Sequence, residues 1–255
     1  MIESIQEHAP PKLSIIVATY NAAASLPHLL ASIEAQTFKE WELLISDGGS
    51  TDQTVPLIQQ SPATWSRSGK DLGIYDAWNQ ALPHARGQYI CFLGADDAWA
   101  TPTAIERLFE AMANERYDLV TSTGRIVNYH STKSMIFGSA WNFRRIGRRM
   151  LVCHPGLLHH RELFEKYGMF DLRYRIAGDL EFLLRLGDDV RALHVDIISV
   201  IIEGAGISRS NVLKRLREQR TALSKCARFG PVRAYLIWLD KLWRYPVARL
   251  FGLPH

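Results

Sequence analysis

The chain has 255 residues, of which 47% are hydrophobic and 22% are charged, and its formal net charge is +4. This composition is ordinary for a globular protein, and the length fits one large domain or a domain with an appendage. No apolar run reaches the roughly 18 residues of a membrane-spanning helix, and three scattered cysteines do not form a disulfide framework. Because the first residues also lack the apolar core of a secretion signal, we expect a cytoplasmic protein.

The positive charge is concentrated at the end of the chain. Residues 209–255 contain 11 Lys and Arg against two acidic residues, whereas residues 1–208 contain 19 against 24. A mildly acidic body with a basic tail indicates that the tail meets an anionic surface. We therefore expect a domain over residues 1–208, followed by a basic tail over residues 209–255.

In the first half of the chain, apolar runs of strand length alternate with segments of helical periodicity. Pro83 is expected to end the third helix early. Such alternation predicts a parallel, doubly wound α/β sheet, in which ligands bind beyond the carboxyl ends of the strands. The predicted strands cover residues 13–18, 41–46, 63–66 and 89–93, and the predicted helices cover residues 25–33, 54–60 and 74–85.

Polar side chains follow three of these strands. In chain order they are Thr19, Tyr20, Asn21, Asp47, Asp96 and Asp97. Because the carboxyl ends of parallel strands meet at one edge of a sheet, we expect these side chains to lie close together. Two adjacent carboxylates repel each other unless a cation lies beside them, and a divalent ion shared with substrate phosphates would suit the pair. Taken alone, the two aspartates would equally fit a solvated turn that caps a helix.

The second half of the chain is less regular. Residues 124–150 are rich in loop formers and end in four arginines, which could bind an anionic substrate or form a solvated helix face. One or two strands are expected over residues 190–202. The other predicted elements are a helix over residues 101–114, a strand over 119–123, a short strand that ends at His159, and helices over 161–167 and 179–186.

Two amphipathic helices are predicted in the tail, separated by Gly230 and Pro231. Their apolar stripes include Trp and Tyr and are surrounded by arginines and lysines, which is the pattern of a helix at a membrane surface. Docking onto the protein body or onto a second copy of the chain would produce the same stripes. The concentration of positive charge favours the membrane surface.

Three sequence blocks resemble the inverting family 2 glycosyltransferases with the GT-A fold. They are SIIVATYN at residues 14–21, SDGGSTD at residues 46–52 and GQYICFLGADD at residues 87–97. DLGIYDAWN at residues 71–79 resembles the bacterial branch that builds surface polysaccharides and lipopolysaccharide. The resemblance covers residues 12–207. It implies a Rossmann-like, mixed but mostly parallel central sheet flanked by helices, with the tail as a helical extension, a donor half over residues 12–123 and an acceptor half over 124–208.

The resemblance also implies the substrates: a nucleotide-diphosphate sugar, UDP-sugar foremost, and a saccharide or lipid-linked acceptor. Asp96 and Asp97 would hold Mn²⁺ or Mg²⁺ on the pyrophosphate, although many relatives have a third acid at the position of Gly94. By the same resemblance, Thr19 to Asn21 line the nucleoside pocket and Asp47 accepts hydrogen bonds from the base or ribose. Lys70 and Asp71 are expected to close over the donor. The implied donor residues are Thr19, Tyr20, Asn21, Asp47, Lys70, Asp71 and Asp96.

Inversion by a single displacement requires a base on the acceptor side of the sugar. The family places an acid at the start of a helix in the second half, and Gly178-Asp-Leu-Glu181 fits that pattern with Gly in place of the first acid. The resemblance therefore implies Asp179 as the base and Glu181 as a supporting residue. Without the resemblance, Asp179 would be an ordinary helix N-cap.

Two further residues are weaker candidates for contacts with the acceptor or with phosphate. His154 lies in a Cys-His-Pro segment, and a buried structural histidine explains it equally well. Arg209 could clamp the diphosphate or a lipid phosphate.

Two other functions stay open at the level of sequence. A nucleotidyltransferase can share such a sheet, but residues 21–25 lack the basic residue of its loop. A non-catalytic sugar-nucleotide binding subunit would explain Gly94 and Gly178. A dinucleotide-binding dehydrogenase is disfavoured because no Gly-x-Gly-x-x-Gly follows the first strand. We expect a peripheral protein at the inner face of the cell membrane, without a nucleic-acid partner, that could also be a homo-oligomer.

Overall fold

A computed structural model describes residues 10–128, 131–203 and 211–251, so that Arg209 lies outside the described residues. The strands are β1 (Leu13–Thr19), β2 (Trp41–Asp47), β3 (Trp65–Ser68), β4 (Tyr89–Gly94), β5 (Asp97–Trp99), β6 (Leu119–Asn128), β7 (Ser131–Phe137), β8 (Leu158–His160) and β9 (Ala192–Glu203). The helices are α1 (Leu26–Glu34), α2 (Thr54–Gln59), α3 (Ile74–Ala81), α4 (Ala104–Met112), α5 (Phe143–Ile146), α6 (Glu162–Tyr167), α7 (Gly178–Leu186), α8 (Val212–Lys225) and α9 (Gly230–Phe251).

The strands form one nine-stranded mixed sheet in the order β3-β2-β1-β4-β8-β6-β9-β5, with β7 paired to β6. The four strands of the first half run parallel, as their alternation with helices predicts. β8 runs antiparallel to both β4 and β6, β9 runs parallel to β6, and β5 runs antiparallel to β9. The predicted α/β class is confirmed, and the second half extends the parallel sheet with strands of both directions.

The register of the parallel strands brings their polar ends to one edge of the sheet. Thr19 pairs with Asp47, and Asp47 pairs in turn with Ser68 on β3. On the other side of β1, Ala18 pairs with Gly94, which is the last residue of β4. The four strands therefore end level with one another, as predicted from the sequence.

The largest departure from the sequence prediction is the segment after residue 123. The loop-rich segment predicted over residues 124–150 begins instead as a hairpin, in which β6 continues to Asn128 and β7 returns antiparallel beside it. β6 is held by β9 on its other side. Residues of low strand propensity such as Gly124 are extended here because the pairing on both sides overrides local preference.

Three smaller differences concern the limits of elements. α3 ends at Ala81 and a 3₁₀ turn continues to His84, as expected from Pro83. The short strand β3 begins at Trp65, two residues later than predicted. Residues 192–203 form one strand, which decides between the one or two strands expected there.

The sheet of the first half is buried on both faces. Ile16, Leu44 and Phe92 belong to one apolar cluster, whereas their neighbours Ile15 and Leu43 belong to the other. Burial on both faces explains why these strands are continuous apolar runs without alternation. The first cluster also includes Ala222, Leu223 and Ala234, so the tail packs onto the body of the protein.

Candidate active site

The carboxylate of Asp47 organises the loop after β2. The side chain is fully buried, and it accepts hydrogen bonds from the hydroxyls of Thr19, Ser50 and Ser68 and from the backbone amides of Gly49 and Ser50. Burial alone would raise the pKa of Asp47, but the hydrogen bonds from Ser50, Ser68 and Thr19 outweigh it and lower the pKa. These donors occupy both oxygens, so a contact with base or ribose would have to replace one of them.

The three residues after β1 have different environments. Thr19 is buried against Asp47, whereas the Tyr20 ring is 67% exposed at the edge of the sheet. Asn21 has a left-handed backbone (φ 46°), and its Oδ1 accepts from the amide of Thr51 at 2.9 Å. Thr19 and Asn21 therefore shape the edge, and the exposed Tyr20 ring offers a stacking surface for a nucleobase.

The loop that contains Lys70 and Asp71 packs against the turn after Asp47. A Cβ at Gly48 would lie 2.8 Å from the Asp71 carboxylate, so only glycine fits while Asp71 keeps this position. Gly49 has φ 86°, and a Cβ there would lie 3.3 Å from the backbone nitrogen of Lys70. The structure brings both predicted donor residues to the edge of the sheet, with the Lys70 side chain exposed.

The two adjacent aspartates have different environments. Asp96 is exposed, whereas Asp97 is 4% exposed and its Oδ2 accepts from the amide of Gly94 at 2.7 Å. Burial, together with the charge of Asp96, raises the pKa of Asp97 to about 8. Asp97 therefore closes the turn between β4 and β5, while Asp96 faces solvent.

The carboxylates of Asp96 and Asp97 both border the space beside Gly94. At Gly94, the place that a Cβ would fill lies 2.7 Å from Oδ1 of Asp96 and 3.4 Å from Oδ2 of Asp97. No group of three or more acidic, His or Cys side chains suited to a metal ion occurs among the described residues. A divalent cation at Asp96 and Asp97 would therefore take its remaining oxygen ligands from substrate phosphates and water.

Asp179 lies in the first turn of α7. The N-cap of this helix is Ala177, so the alternative in which Asp179 is an ordinary N-cap is wrong. Oδ1 of Asp179 accepts from the Tyr75 hydroxyl at 3.2 Å and from the amide of Leu180 at 2.7 Å. Burial raises the pKa of Asp179 to about 6, which suits a group that takes a proton near neutral pH.

The ring of Tyr75 explains why glycine replaces the first acid of the helix motif. A Cβ at Gly178 would lie 2.8 Å from Cε2 of the Tyr75 ring, which is itself buried. An acid at position 178 is therefore incompatible with Tyr75 beside Asp179. At Gly94, by contrast, the nearest atom is the end of the exposed Asp96 side chain, which can rotate away.

The weaker candidates have structural partners. Glu181 is half-buried, and its carboxylate pairs with Arg185 on the same helix at 3.2 Å. His154 is buried against the rings of Trp78 and Phe92, and burial lowers its pKa to about 3. Because Nε2 of His154 has no hydrogen-bond partner within the described part of the chain, this histidine matches neither an exposed phosphate contact nor a fully bonded core residue.

The sequence did not identify two residues of α3 that join the halves of the protein. Tyr75 reaches Asp179, and its hydroxyl also donates to the carbonyl of Ile176 at 2.9 Å. The side-chain Nδ2 of Asn79 donates to the carbonyl of Phe170 at 2.8 Å, and its Oδ1 accepts from the backbone N–H of Phe170 at 3.0 Å. Both belong to the DLGIYDAWN block, which was the only signal for them in the sequence.

Comparison with known proteins agrees with this arrangement. The sequence profile described as Glycosyl transferase family 2 matches residues 14–168. A "PGL/p-HBAD biosynthesis glycosyltransferase" of Mycobacterium bovis is 34% identical over 222 residues, which cover 82% of this chain and 85% of the relative. A Mycobacterium tuberculosis protein with the same description matches equally well.

Two solved structures show the same fold at low sequence identity. Staphylococcus aureus TarS 1-349 in complex with UDP has a TM-score of 0.68 at 20% identity, over 91% of this chain and 70% of that one. The mannosyltransferase PcManGT of Pyrobaculum calidifontis, in complex with GDP-Man and Mn²⁺, has a TM-score of 0.66 at 20% identity, over 96% and 76%. The chain thus belongs to glycosyl transferase family 2, and it is a glycosyltransferase with the GT-A fold.

Proposed function

We propose that this glycosyltransferase is an inverting enzyme that moves a sugar from a nucleotide-diphosphate donor to a saccharide acceptor, with Asp179 as the base. The observation that carries the proposal is the environment of Asp179, which is held by Tyr75 at the start of α7 with a pKa raised to about 6 by burial. A carboxylate with this pKa is ionised at neutral pH and accepts a proton more readily than an ordinary aspartate.

In this mechanism, the acceptor hydroxyl loses its proton to Asp179 while its oxygen attacks the anomeric carbon of the donor sugar. The bond to the diphosphate breaks on the opposite side of the sugar, so the configuration at that carbon inverts. A divalent cation held by Asp96, with Asp97 behind it in the turn, would stabilise the charge on the departing diphosphate as a Lewis acid. Tyr20 would stack on the base, while Asp47 and Asn21 keep the edge of the sheet in shape.

A nucleotide-sugar donor and a divalent cation are supported by the solved relatives, which include TarS with UDP-GlcNAc and PcManGT with GDP-Man and Mn²⁺. The test is a panel of UDP-glucose, UDP-GlcNAc, GDP-mannose and dTDP-glucose, each with and without MnCl₂. We expect one donor to raise the melting temperature when Mn²⁺ is present, because a ligand that binds the folded state stabilises it. The same donor should release its nucleoside diphosphate. If the protein instead formed one of these nucleotide sugars from a nucleoside triphosphate and a sugar 1-phosphate, with release of pyrophosphate from the triphosphate, the reaction would be nucleotidyl transfer.

We further propose that the tail binds an anionic membrane surface and thereby meets a lipid-linked acceptor. α9 turns one apolar side to solvent, where Trp243 is 76% exposed and Leu236 is 59% exposed. Arg233 and Arg244 border this side and are also exposed. No helix among the described residues is long and apolar enough to cross a membrane, so the contact would be peripheral.

Vesicle binding tests the tail. We expect the full-length protein to sediment with phosphatidylglycerol vesicles but not with phosphatidylcholine vesicles, and added salt should weaken this binding. The double substitution Leu236→Glu and Trp243→Glu should reduce binding at least about tenfold, since each removes an apolar side chain that would be buried in the membrane surface. Ile136→Glu, at an apolar residue on β7 that is as exposed as Leu236, is the control. If the protein were a dimer and bound neither kind of vesicle, α9 would instead bind a second copy of the chain.

A further inference from the structure

A side chain of the tail holds the backbone immediately before α7. One carboxylate oxygen of Glu218, on α8, accepts hydrogen bonds from three consecutive amides: Arg175 at 3.0 Å, Ile176 at 2.8 Å and Ala177 at 3.0 Å. Three amides converge on one oxygen only when the backbone curves around it. Glu218 therefore fixes the conformation of this segment.

This contact holds the N-cap residue of α7 and the two residues before it. The N-cap residue of α7 is Ala177, whose methyl side chain cannot accept a hydrogen bond from the amides of the first turn. A carboxylate at a helix N-terminus is favoured both by charge-assisted hydrogen bonds and by the helix dipole. Glu218 provides that carboxylate from a distant part of the chain, and the next residues of the helix are Gly178 and Asp179.

α8 is anchored firmly enough to set this position. Leu216, Ala222 and Leu223 are buried on both sides of Glu218 along the helix, and α8 packs directly against α7. The sequence places residues 209–255 in a tail outside the family resemblance and leaves open whether this tail docks onto the protein body. The contacts of Glu218 and its neighbours place α8 against the element that contains the proposed base.

We propose that Glu218 is a positioning residue for Asp179, so that α8 belongs to the catalytic unit. This inference rests on the proposed role of Asp179 as the base. Glu218 and Tyr75 hold the start of α7 from two sides: Glu218 through the backbone of residues 175–177, and Tyr75 through the carbonyl of Ile176 and the carboxylate of Asp179.

The charge of Glu218 provides a readout that a purely structural contact would lack. Burial is the main reason that the pKa of Asp179 is raised, and the negative charge of Glu218 raises it further. Tyr75 faces Asp179 from α3. On α7 itself, Glu181 is paired with Arg185. α5 and α6 also pack against α7, and their charged residues are Arg144, Arg145, Glu162, Glu165 and Lys166. The charged residues of α8 besides Glu218 are Lys214, Arg215, Arg217, Arg220 and Lys225.

The experiment compares the full-length protein with Glu218→Gln and Glu218→Ala, and with Asp240→Asn at the other acid of the tail as the control. Release of nucleoside diphosphate is measured from pH 5 to 8 with the fastest donor of the panel above. We expect Glu218→Ala to lower kcat about 10- to 100-fold with little change in the KM for donor, because the base is misplaced. Glu218→Gln keeps an acceptor oxygen, so its kcat should fall less, but the acid limb of its pH profile should move to lower pH. Asp240→Asn should match the wild type.

The outcomes separate this inference from the proposed function. If Asp179→Asn keeps full activity, the proposed base is wrong whatever the Glu218 variants show. If Asp179→Asn is inactive while Glu218→Gln keeps both the wild-type kcat and the wild-type acid limb, only the role of Glu218 is overturned. This second comparison holds even if Glu218→Ala does not fold. In the Asp179→Asn background, substitution of Glu218 should cause no further loss of kcat, because Glu218 acts through Asp179.

Discussion

Asp179→Asn is expected to lower kcat for sugar transfer by about 10²- to 10⁴-fold, which is the usual contribution of a general base. Asn has the same shape as Asp and can still accept a hydrogen bond from Tyr75, but it cannot take a proton. The measurement is release of nucleoside diphosphate at pH 7.5, together with the KM for donor, which should change little. Glu181→Gln is the matched control on the same helix, and it should keep activity within about tenfold. Full activity of Asp179→Asn would contradict the assignment.

The pH dependence of the wild-type enzyme follows from the same residue. Burial raises the pKa of Asp179 to about 6, and the base works only when it is ionised. Activity should therefore be full above about pH 7 and should fall about tenfold for each pH unit below the pKa. A profile of kcat from pH 5 to 8 measures this limb. A flat profile across pH 6 would mean that another group takes the proton.

At neutral pH, Asp179→Asn is expected to lower the activity but not the stability of the protein. The pKa of Asp179 is higher in the folded protein than the ordinary value of 3.8, so folding favours the protonated form. Its stabilising contribution is therefore present below about pH 4 and is lost as the pH rises through about 6. Above pH 7, the ionised carboxylate destabilises the fold, by up to about 3 kcal/mol if the full shift is realised. The melting temperature of Asp179→Asn should thus equal or exceed that of the wild type at pH 7.5.

The donor side of the fold could be predicted because its determinants are local. The strands that begin at Leu13, Trp41 and Tyr89 are continuous apolar runs, and their parallel direction follows from the helices between them. Once the strands are parallel and level, Thr19, Asp47 and Gly94 must meet at one edge. The sequence motifs and the sheet geometry therefore place the predicted donor residues at the same edge of the sheet.

The base side could not be predicted in the same way, because its determinants are distant in sequence. Tyr75 and Asp179 are 104 residues apart, and Glu218 lies 43 residues beyond the amide of Arg175 that it holds. The sequence alone indicated that Gly178 replaces an acid of the helix motif. The structure adds the reason, because a Cβ at this position would clash with the Tyr75 ring. Local propensity likewise missed the hairpin after Thr123, which exists because β6 is paired on both sides.

Asp96→Asn and Asp97→Asn, at the two aspartates after β4, should have different effects on activity. Asp96 faces solvent beside Gly94, so Asp96→Asn is expected to remove a direct cation ligand and to lower kcat by about 10²- to 10³-fold. It should also abolish the increase in melting temperature that donor produces with MnCl₂. Titration of Mn²⁺ at fixed donor concentration measures the loss, and excess Mn²⁺ should partly restore activity.

Asp97→Asn is the matched variant, one residue away and of the same chemistry. Asp97 is buried, and its carboxylate accepts from the amide of Gly94, which an asparagine oxygen can also do. We therefore expect Asp97→Asn to keep the turn and most of the Mn²⁺ dependence, with a loss of kcat below that of Asp96→Asn. Equal losses in both variants, with equal shifts in the Mn²⁺ titration, would instead make both carboxylates direct ligands. The space beside Gly94 would then hold the cation between two oxygens of the protein, where other members of the family can use three acids.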